Sequence, residues 1–437
     1  MAADQNAKTL VAGFCVRVGQ EVVPLFQWFD PIGRIAVDSD RCPFWNPQAA
    51  DAQLLGLVQP HPQELPDLIG QWAQQRPLRV CGGGTTSQSA ADGHWTLDLQ
   101  RHCAAIEWRC SDQTVWVGAG SRMGAVLDAL LPYGRTIAAG LSGFPGLGYV
   151  LTGGMGPLSR RFGLAVDQLL EIQGVWGNGR AFALSRQEHH DTAEWRGLCG
   201  AAPFLAVVQG VRLATQSLRP LWIEQFVSPP QDLPALMAHA ERSDPQTSVQ
   251  WHWGGGDAVH GLRVREGAFA GGQPIAGLHA LPPLTSPPPT QPRIHAEVVG
   301  LLGPAAAERW AYVMPAVQQL MQQRPHPGCS LACQQLGAAT SKIPIEATSF
   351  VHRDAVWKPW ITAAWVAGDT TGRSRSLAWL EQLWAALEPA CPGVHLAQLH
   401  DHLSFHQKEL TQAFGSWLPG LRALKAQVDP DGTLPTL

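Results

Sequence analysis

Residues 153–167 read Gly-Gly-Met-Gly-Pro-Leu-Ser-Arg-Arg-Phe-Gly-Leu-Ala-Val-Asp, and the first seven of them close a stretch, Thr136 to Ser159, that carries no charged side chain. That stretch holds the glycines Gly140, Gly143, Gly146, Gly148, Gly153, Gly154 and Gly156, with Pro145 and Pro157. Its lack of charge invites a membrane reading. A lone spanning helix could not carry so many breaks, because each freed backbone group would lack a partner in lipid. No membrane span is expected. Glycine at this density suits a backbone that closes tightly around a buried ligand.

Working outward, a second glycine segment precedes it. Leu78–Cys81 reads as a short buried strand and runs into Gly82-Gly83-Gly84-Thr85-Thr86-Ser87. Successive backbone N–H groups and three hydroxyls there could form an anion nest for a pyrophosphate. A third segment, Gly118-Ala119-Gly120, follows the strand-like TVWV and opens the helical MGAVLDALL. Its spacing to Gly124 is G-x-G-x-x-x-G, and after Asp128 no acid appears until Asp167. A Rossmann site needs G-x-G-x-x-G and a ribose-binding acid about 20 residues on, so that reading is set aside. No G-K-[ST] exists, which removes a P-loop.

Composition narrows the classes further. The 437 residues carry 31 basic and 35 acidic side chains, net −4, in no long run of either sign. A protein that tracks phosphates needs a basic face, so no nucleic-acid partner is expected. The nine cysteines are odd in number and scattered. They read as small core residues in a reducing compartment. Met1–Leu10 lacks the apolar core of a signal peptide, and the expected location is cytoplasmic.

The length gives a prior of two or three domains. Residues 1–40 form an extension whose segments VAGFCVRV and EVVPLFQWF read as strands. Residues 41–217 alternate strands and helices, among them a helix at Pro62–Gln75 and a hairpin turning at Asn178-Gly179. Residues 218–408 change texture: SVQWHW, GLRVRE, RIHAEVVGLL and ITAAWVA alternate with long helical segments, the pattern of an antiparallel sheet with helices. The Pro-rich Leu281–Pro292 reads as a surface loop, and residues 409–437 as a segment returning to the first domain. The fold class is α+β.

In their order, these segments resemble the FAD-binding domain of the vanillyl-alcohol oxidase / p-cresol methylhydroxylase (PCMH) superfamily, in its berberine-bridge-enzyme-like branch. The counterparts are Cys81-Gly82-Gly83-Gly84-Thr85-Thr86 for that family's R-G-G-G-H-S, then Gly118-Ala119-Gly120, then Gly153–Asp167 for its G-G-G-x-G-x-L-S-R-x-Y-G-L-A-x-D. Gly177-Asn178-Gly179-Arg180 matches its A-D-G-R, and Leu198–Val211 its R-G-G-G-x-N-F-G-V-V. In the second half, Ala347–Asp354 resembles A-T-A-F-x-H-R-D and Leu421–Leu434 the closing L-x-x-L-K-x-x-Y-D-P-x-G-x-F. The resemblance implies a two-domain PCMH-type fold with an antiparallel-sheet substrate domain. FAD is then the expected cofactor, held by Gly82, Gly83, Gly84, Thr85, Thr86, Ser87, Gly140, Gly148, Gly153, Gly154, Gly156, Leu158, Val207 and Val208.

The departures bear on chemistry. Many relatives tether FAD through a His and a Cys; Thr85 stands at the first position, and Leu141 or Ser142 at the second, so the expected FAD is noncovalent. The family's Y-x-N becomes His395-Leu396-Ala397, and the Asn before its last helix becomes Trp417. The three tyrosines Tyr133, Tyr149 and Tyr312 all lie away from the family's tyrosine base. For catalysis the resemblance offers His352, Arg353 and His395: a His as base, and Arg353 to hold a carboxylate or to stabilise negative charge on the reduced flavin. His352 and Arg353 could equally serve the domain seam. The expected activity is oxidation of a small-molecule alcohol or 2-hydroxy acid, electrons passing to oxygen or another acceptor. Two alternatives stand beside it: a flavin-fold protein without turnover that serves as a binding or assembly partner, and a subunit of a glycolate-oxidase-like dehydrogenase.

Two further clusters have bland readings. His400-Asp401-His402 and His406 lack a further ligand at familiar spacing, so they read as a solvated or seam-lining group and no metal is expected. Trp251 and Trp253 share one strand face, suited to core packing or to an aromatic substrate wall.

Overall fold

The computed structural model describes residues 43–74, 76–138, 140–254, 256, 258–283, 292–396 and 398–437, together with the course of three strands before them, Cys15–Val18, Glu21–Pro24 and Phe26–Phe29. Those strands fall within the two segments read as strands in the extension. Most of the Pro-rich loop, and Ala397, lie outside the described residues.

Alternating apolar and polar residues build three main sheets. A four-stranded sheet runs in the order Phe26–Phe29, Gly56–Pro60, Trp95–Asp98, Leu78–Cys81; its last three strands are parallel and nearly all buried. Beside it, an antiparallel sheet runs Ala181–Ser185, Leu169–Trp176, Ala206–Ala214, Thr114–Gly118, Ile106–Arg109. Its hairpin turns where expected, with Gly179 at φ 84. The second half is an eight-stranded antiparallel sheet, from Gln273–Ile275 at one edge to Gly393–His395 at the other. The chain is α+β, as its texture indicated.

Helices Leu233–Glu241, Ala307–Gln322 and Thr370–Leu387 pack on this large sheet and on each other. Trp251 and Trp253 are buried, and the indoles of Trp251 and Trp310 meet edge to face at 5.9 Å. The pair serves core packing. The opposite sheet face carries His252, Gln334 and Lys358.

One expected helix is broken into pieces. Pro62–Gln75 forms a 3₁₀ turn at Pro62–Glu64, a single α turn at Leu65–Asp67 and a π turn at Leu68–Trp72. Pro66 has no N–H to contribute, and the chain widens so that Ala73 N donates to Leu68 O at 2.8 Å. Gly70 also backs onto Gly179 so closely that a Cβ would lie 3.1 Å from its Cα. The closing helix Leu418–Val428 packs on Ala193–Ala201 in the first half, with Leu424 against Gly197.

Candidate active site

The strand Leu78–Cys81 delivers the chain into the loop 82–88. Gly84 there has φ +69, and a Cβ would lie 2.2 Å from Pro43 O, so only glycine fits. Its carbonyl accepts from Trp45 N and Asn46 N at 2.8 and 2.9 Å. The backbone N–H groups from Gly82 through Gln88 find no acceptor among the described residues. Buried N–H groups are nearly always paired, so this run is a donor set waiting for an anion.

Facing the loop stands the short helix Leu147–Leu151, and between them lies a mostly apolar cavity of about 130 Å³. Gly82, Gly148, Leu151, Pro203, Val207 and Val208 line it. A Cβ on Gly148 would meet nothing within 4 Å, so that glycine leaves free space over the cavity. A second cavity of about 430 Å³ adjoins it, and Arg79 and Gln88 line both. An apolar slot for a ring system beside a file of free N–H donors fits a dinucleotide. Thr86 Oγ1 sits 3.1 Å from Ser89 Oγ, while the Ser87 hydroxyl donates to Glu297 at 2.7 Å. Ser87 thus offers an anion its N–H and not its hydroxyl.

Gly153, Gly154, Gly156 and Leu158 form a tight turn behind this helix. Ala165 N and Val166 N donate to the carbonyls of Gly154 and Gly153, and Gly156 N donates to Ser159 Oγ at 2.9 Å. Gly153 has φ +143, and a Cβ there would lie 3.2 Å from His395 Nε2. A Cβ on Gly140 would meet the Tyr149 ring at 3.2 Å. Leu158 is buried.

The three residues expected near the ring meet different fates at the domain seam. Arg353 grips Asp167 through two nitrogens at 2.9 and 3.0 Å and also donates to Thr348 Oγ1, all of it buried. Its charge is spent on a structural carboxylate. His352 donates from Nε2 to Gln412 O at 2.6 Å, and burial pulls its imidazolium down. His395 is different. Its Nε2 lies 3.1 Å from Thr152 O, which can only accept, so the proton sits on Nε2 and the lone pair on Nδ1. Nδ1 has no partner among the described residues, and burial holds the ring neutral, its pKa well below the ordinary value.

Tyr149 packs edge to face on His395 at 6.2 Å. Its hydroxyl donates to Met155 O at 2.6 Å and accepts from Met155 N, and burial pushes the phenol up to about 12. The Lys358 ammonium stands 5.9 Å from the Tyr149 ring and 5.0 Å from the Trp360 ring. Burial draws that ammonium down to about 8. Sequence reasoning missed Lys358, because a lysine in an apolar strand carries no motif.

The histidine cluster lines the seam. Glu297, fully buried, accepts from Ser87 Oγ at 2.7 Å, Gln48 Nε2 at 2.9 Å and His402 Nε2 at 3.0 Å. His400 donates to Glu409 at 2.9 Å and lies 3.6 Å from Glu297. Burial alone would lower His400, but the two carboxylates lift it to about 10. His406 donates to Thr436 O at 3.1 Å. Among the described residues no group of three or more His, Cys, Asp or Glu is placed to hold a metal ion. No helix among them is long and apolar enough to cross a membrane.

Against known proteins, residues 57–185 match the family model described as an FAD binding domain. The FAD-linked oxidoreductase YgaK of Bacillus subtilis is 21% identical over 410 residues, covering 83% of this chain and 85% of its own length. The chain carries an FAD binding domain and is similar to FAD-linked oxidoreductases. Another relative, an FAD-dependent monooxygenase of Arthrobotrys oligospora, is 33% identical over 128 residues, which are 29% of this chain and only 25% of that protein. The fold is that of the berberine-bridge-enzyme-like proteins: one from Physcomitrella patens superposes with a TM-score of 0.80 at 17% identity, covering 98% of this chain and 97% of that one. The matched FAD binding domain makes FAD the cofactor of this chain, in keeping with the free N–H file and the apolar slot.

Proposed function

We propose that the protein is an FAD-dependent oxidoreductase that oxidises a small alcohol or 2-hydroxy acid, with FAD bound noncovalently. The observation that carries this reading is the pairing of the unpartnered N–H groups of Gly82–Gln88 with a neutral His395 whose Nδ1 lone pair is free. The loop N–H groups would hold the pyrophosphate, and Val207, Val208 and Pro203 would wall the apolar ring slot. Thr85 cannot form the flavin bond that a histidine forms at this position. FAD, when bound, supplies the two-electron acceptor for the carbon–hydrogen bond of the substrate.

The chain's own residues supply the proton step. His395 takes the substrate hydroxyl proton at Nδ1, while Thr152 O fixes the tautomer through Nε2. Gly300, whose missing side chain would come 3.7 Å from Nδ1, leaves room beside that atom. The double tie of Tyr149 to Met155 argues against it as the base, and the grip of Arg353 on Asp167 argues against its holding a substrate carboxylate.

The test is the absorbance spectrum of purified protein before and after acid precipitation. Flavin should pass to the supernatant; a colourless preparation that takes up no FAD overturns the reading. Anaerobic mixing with alcohols and hydroxy acids should then bleach the flavin. No bleaching across that panel would instead favour a protein that binds FAD without turnover.

A further inference from the structure

The large sheet presents one row of polar side chains that the proton step does not use. Register places Gln250 opposite Gln334, and Gln334 opposite Lys358, across three adjacent strands. The next row on the same face runs His252, Ala332, Trp360, Gly300, His395. The amide row and the proposed base therefore share one sheet face, two residues apart along the strand.

All three members of the first row are buried; Gln250 Nε2 donates to Ser248 Oγ at 2.8 Å, but each keeps a polar atom without a partner among the described residues. Gln334 Nε2 has no acceptor and Gln250 Oε1 no donor. Lys358, 6% exposed, makes no hydrogen bond or ion pair among the described residues. Among the described residues no carboxylate pairs with it; the titratable groups that face its ammonium are the Cys333 thiol and the His395 ring, both held neutral by burial. What holds the ammonium is aromatic: the Tyr149 and Trp360 faces at 5.9 and 5.0 Å. A buried cation with an amide donor beside it and no anion is an incomplete site, because buried charges are otherwise paired.

We propose that Lys358 and Gln334 form a carboxylate-binding site, so that the substrate is a small acid whose hydroxyl-bearing carbon lies toward His395. Lys358 takes the anion and Gln334 Nε2 donates to its second oxygen. Lys358 thus fills the role expected of Arg353, which is committed elsewhere. The assignment rests on the oxidoreductase reading and narrows it from alcohols in general to hydroxy acids.

Oxalate is the probe, titrated into the FAD-loaded protein and followed by calorimetry and by flavin absorbance, with ethylene glycol as the uncharged control. Oxalate should bind the parent and Lys358→Arg, and bind Lys358→Met and Gln334→Leu about 10- to 100-fold more weakly, the size of a lost charged hydrogen bond. Ethylene glycol should not distinguish the variants. Thermal melts confirm that each variant is folded, and Gln334→Leu keeps the test open if Lys358→Met is not. Equal oxalate affinity in parent and folded variants, or no oxalate binding to the parent at millimolar concentration, overturns the site. A flavin-loaded protein that oxidises neutral alcohols and ignores oxalate loses this inference and keeps the broader function. A flavin-free protein loses that function, while the calorimetry still decides whether Lys358 binds the anion.

Discussion

Arg353 and Asp167 face each other across the domain seam with two N–O contacts of 2.9 and 3.0 Å, their side chains 3% and 5% exposed. Asp167 also accepts from Leu164 N at 2.9 Å, tying the pair to the turn that follows the glycine run. Removing one partner leaves the other charged and buried. Arg353→Met or Asp167→Asn should therefore cost about 3–5 kcal/mol in chemical denaturation. A catalytic arginine would instead lower turnover at unchanged stability, and that outcome would reverse the assignment.

Gly148 and Gly153 separate cofactor space from backbone need. Gly148→Leu places a side chain over the apolar cavity where nothing now stands within 4 Å. It should melt within about 1 kcal/mol of the parent yet retain no flavin. Gly153→Ala forces a Cβ at φ +143 against His395 and should cost about 1–3 kcal/mol. Melts and flavin content on both variants check the contrast.

Glu297 joins the cofactor loop to the substrate half. Glu297→Gln removes the charge that faces His400 and His402 and weakens the acceptor for Ser87. A stability loss of about 3–5 kcal/mol is expected. Flavin should also leave the variant faster on dilution, read as recovered flavin fluorescence.

Histidines set the pH response, with opposite signs. Burial, aided by His260 on the next strand, pulls His252 down to about 4. The unfolded chain takes up that proton near 6.5 and the folded chain does not, so stability falls as pH drops from 6.5 toward 4. The slope is about 1.4 kcal/mol per pH unit for one such group. His395 and His352 act in the same direction. His400 is raised to about 10, so its contribution is whole below 6.5 and is lost as pH rises toward 10. Denaturation curves of parent and His252→Gln at about pH 7 and about pH 5 should show a flatter acid limb in the variant.

The tight glycine segments were legible because backbone that must pass close to other backbone excludes side chains, and that leaves a mark in composition. Gly82–Gly84 and Gly153–Gly156 stand where their spacing put them. The hairpin at Asn178-Gly179 was legible for the same reason. The seam was not. Glu297 lies 105 residues from His402 and Glu409 lies 9 from His400, the histidines they bind, and nothing local marks them. Gln250, Gln334 and Lys358 come together only through strand register, which a single strand does not encode. The helix at Pro62–Gln75 failed because a side-chain period says nothing of the hydrogen bonds that Pro66 forbids.

The bond from Ser87 to Glu297 spans 210 positions of chain, and that from Glu297 to His402 a further 105. During synthesis the glycine loop leaves the ribosome long before either partner exists. Its finished shape has to wait until nearly the whole polypeptide has been released. A chain truncated before Glu297 would emerge with no acceptor for the Ser87 hydroxyl and with its glycine loop untethered on that side.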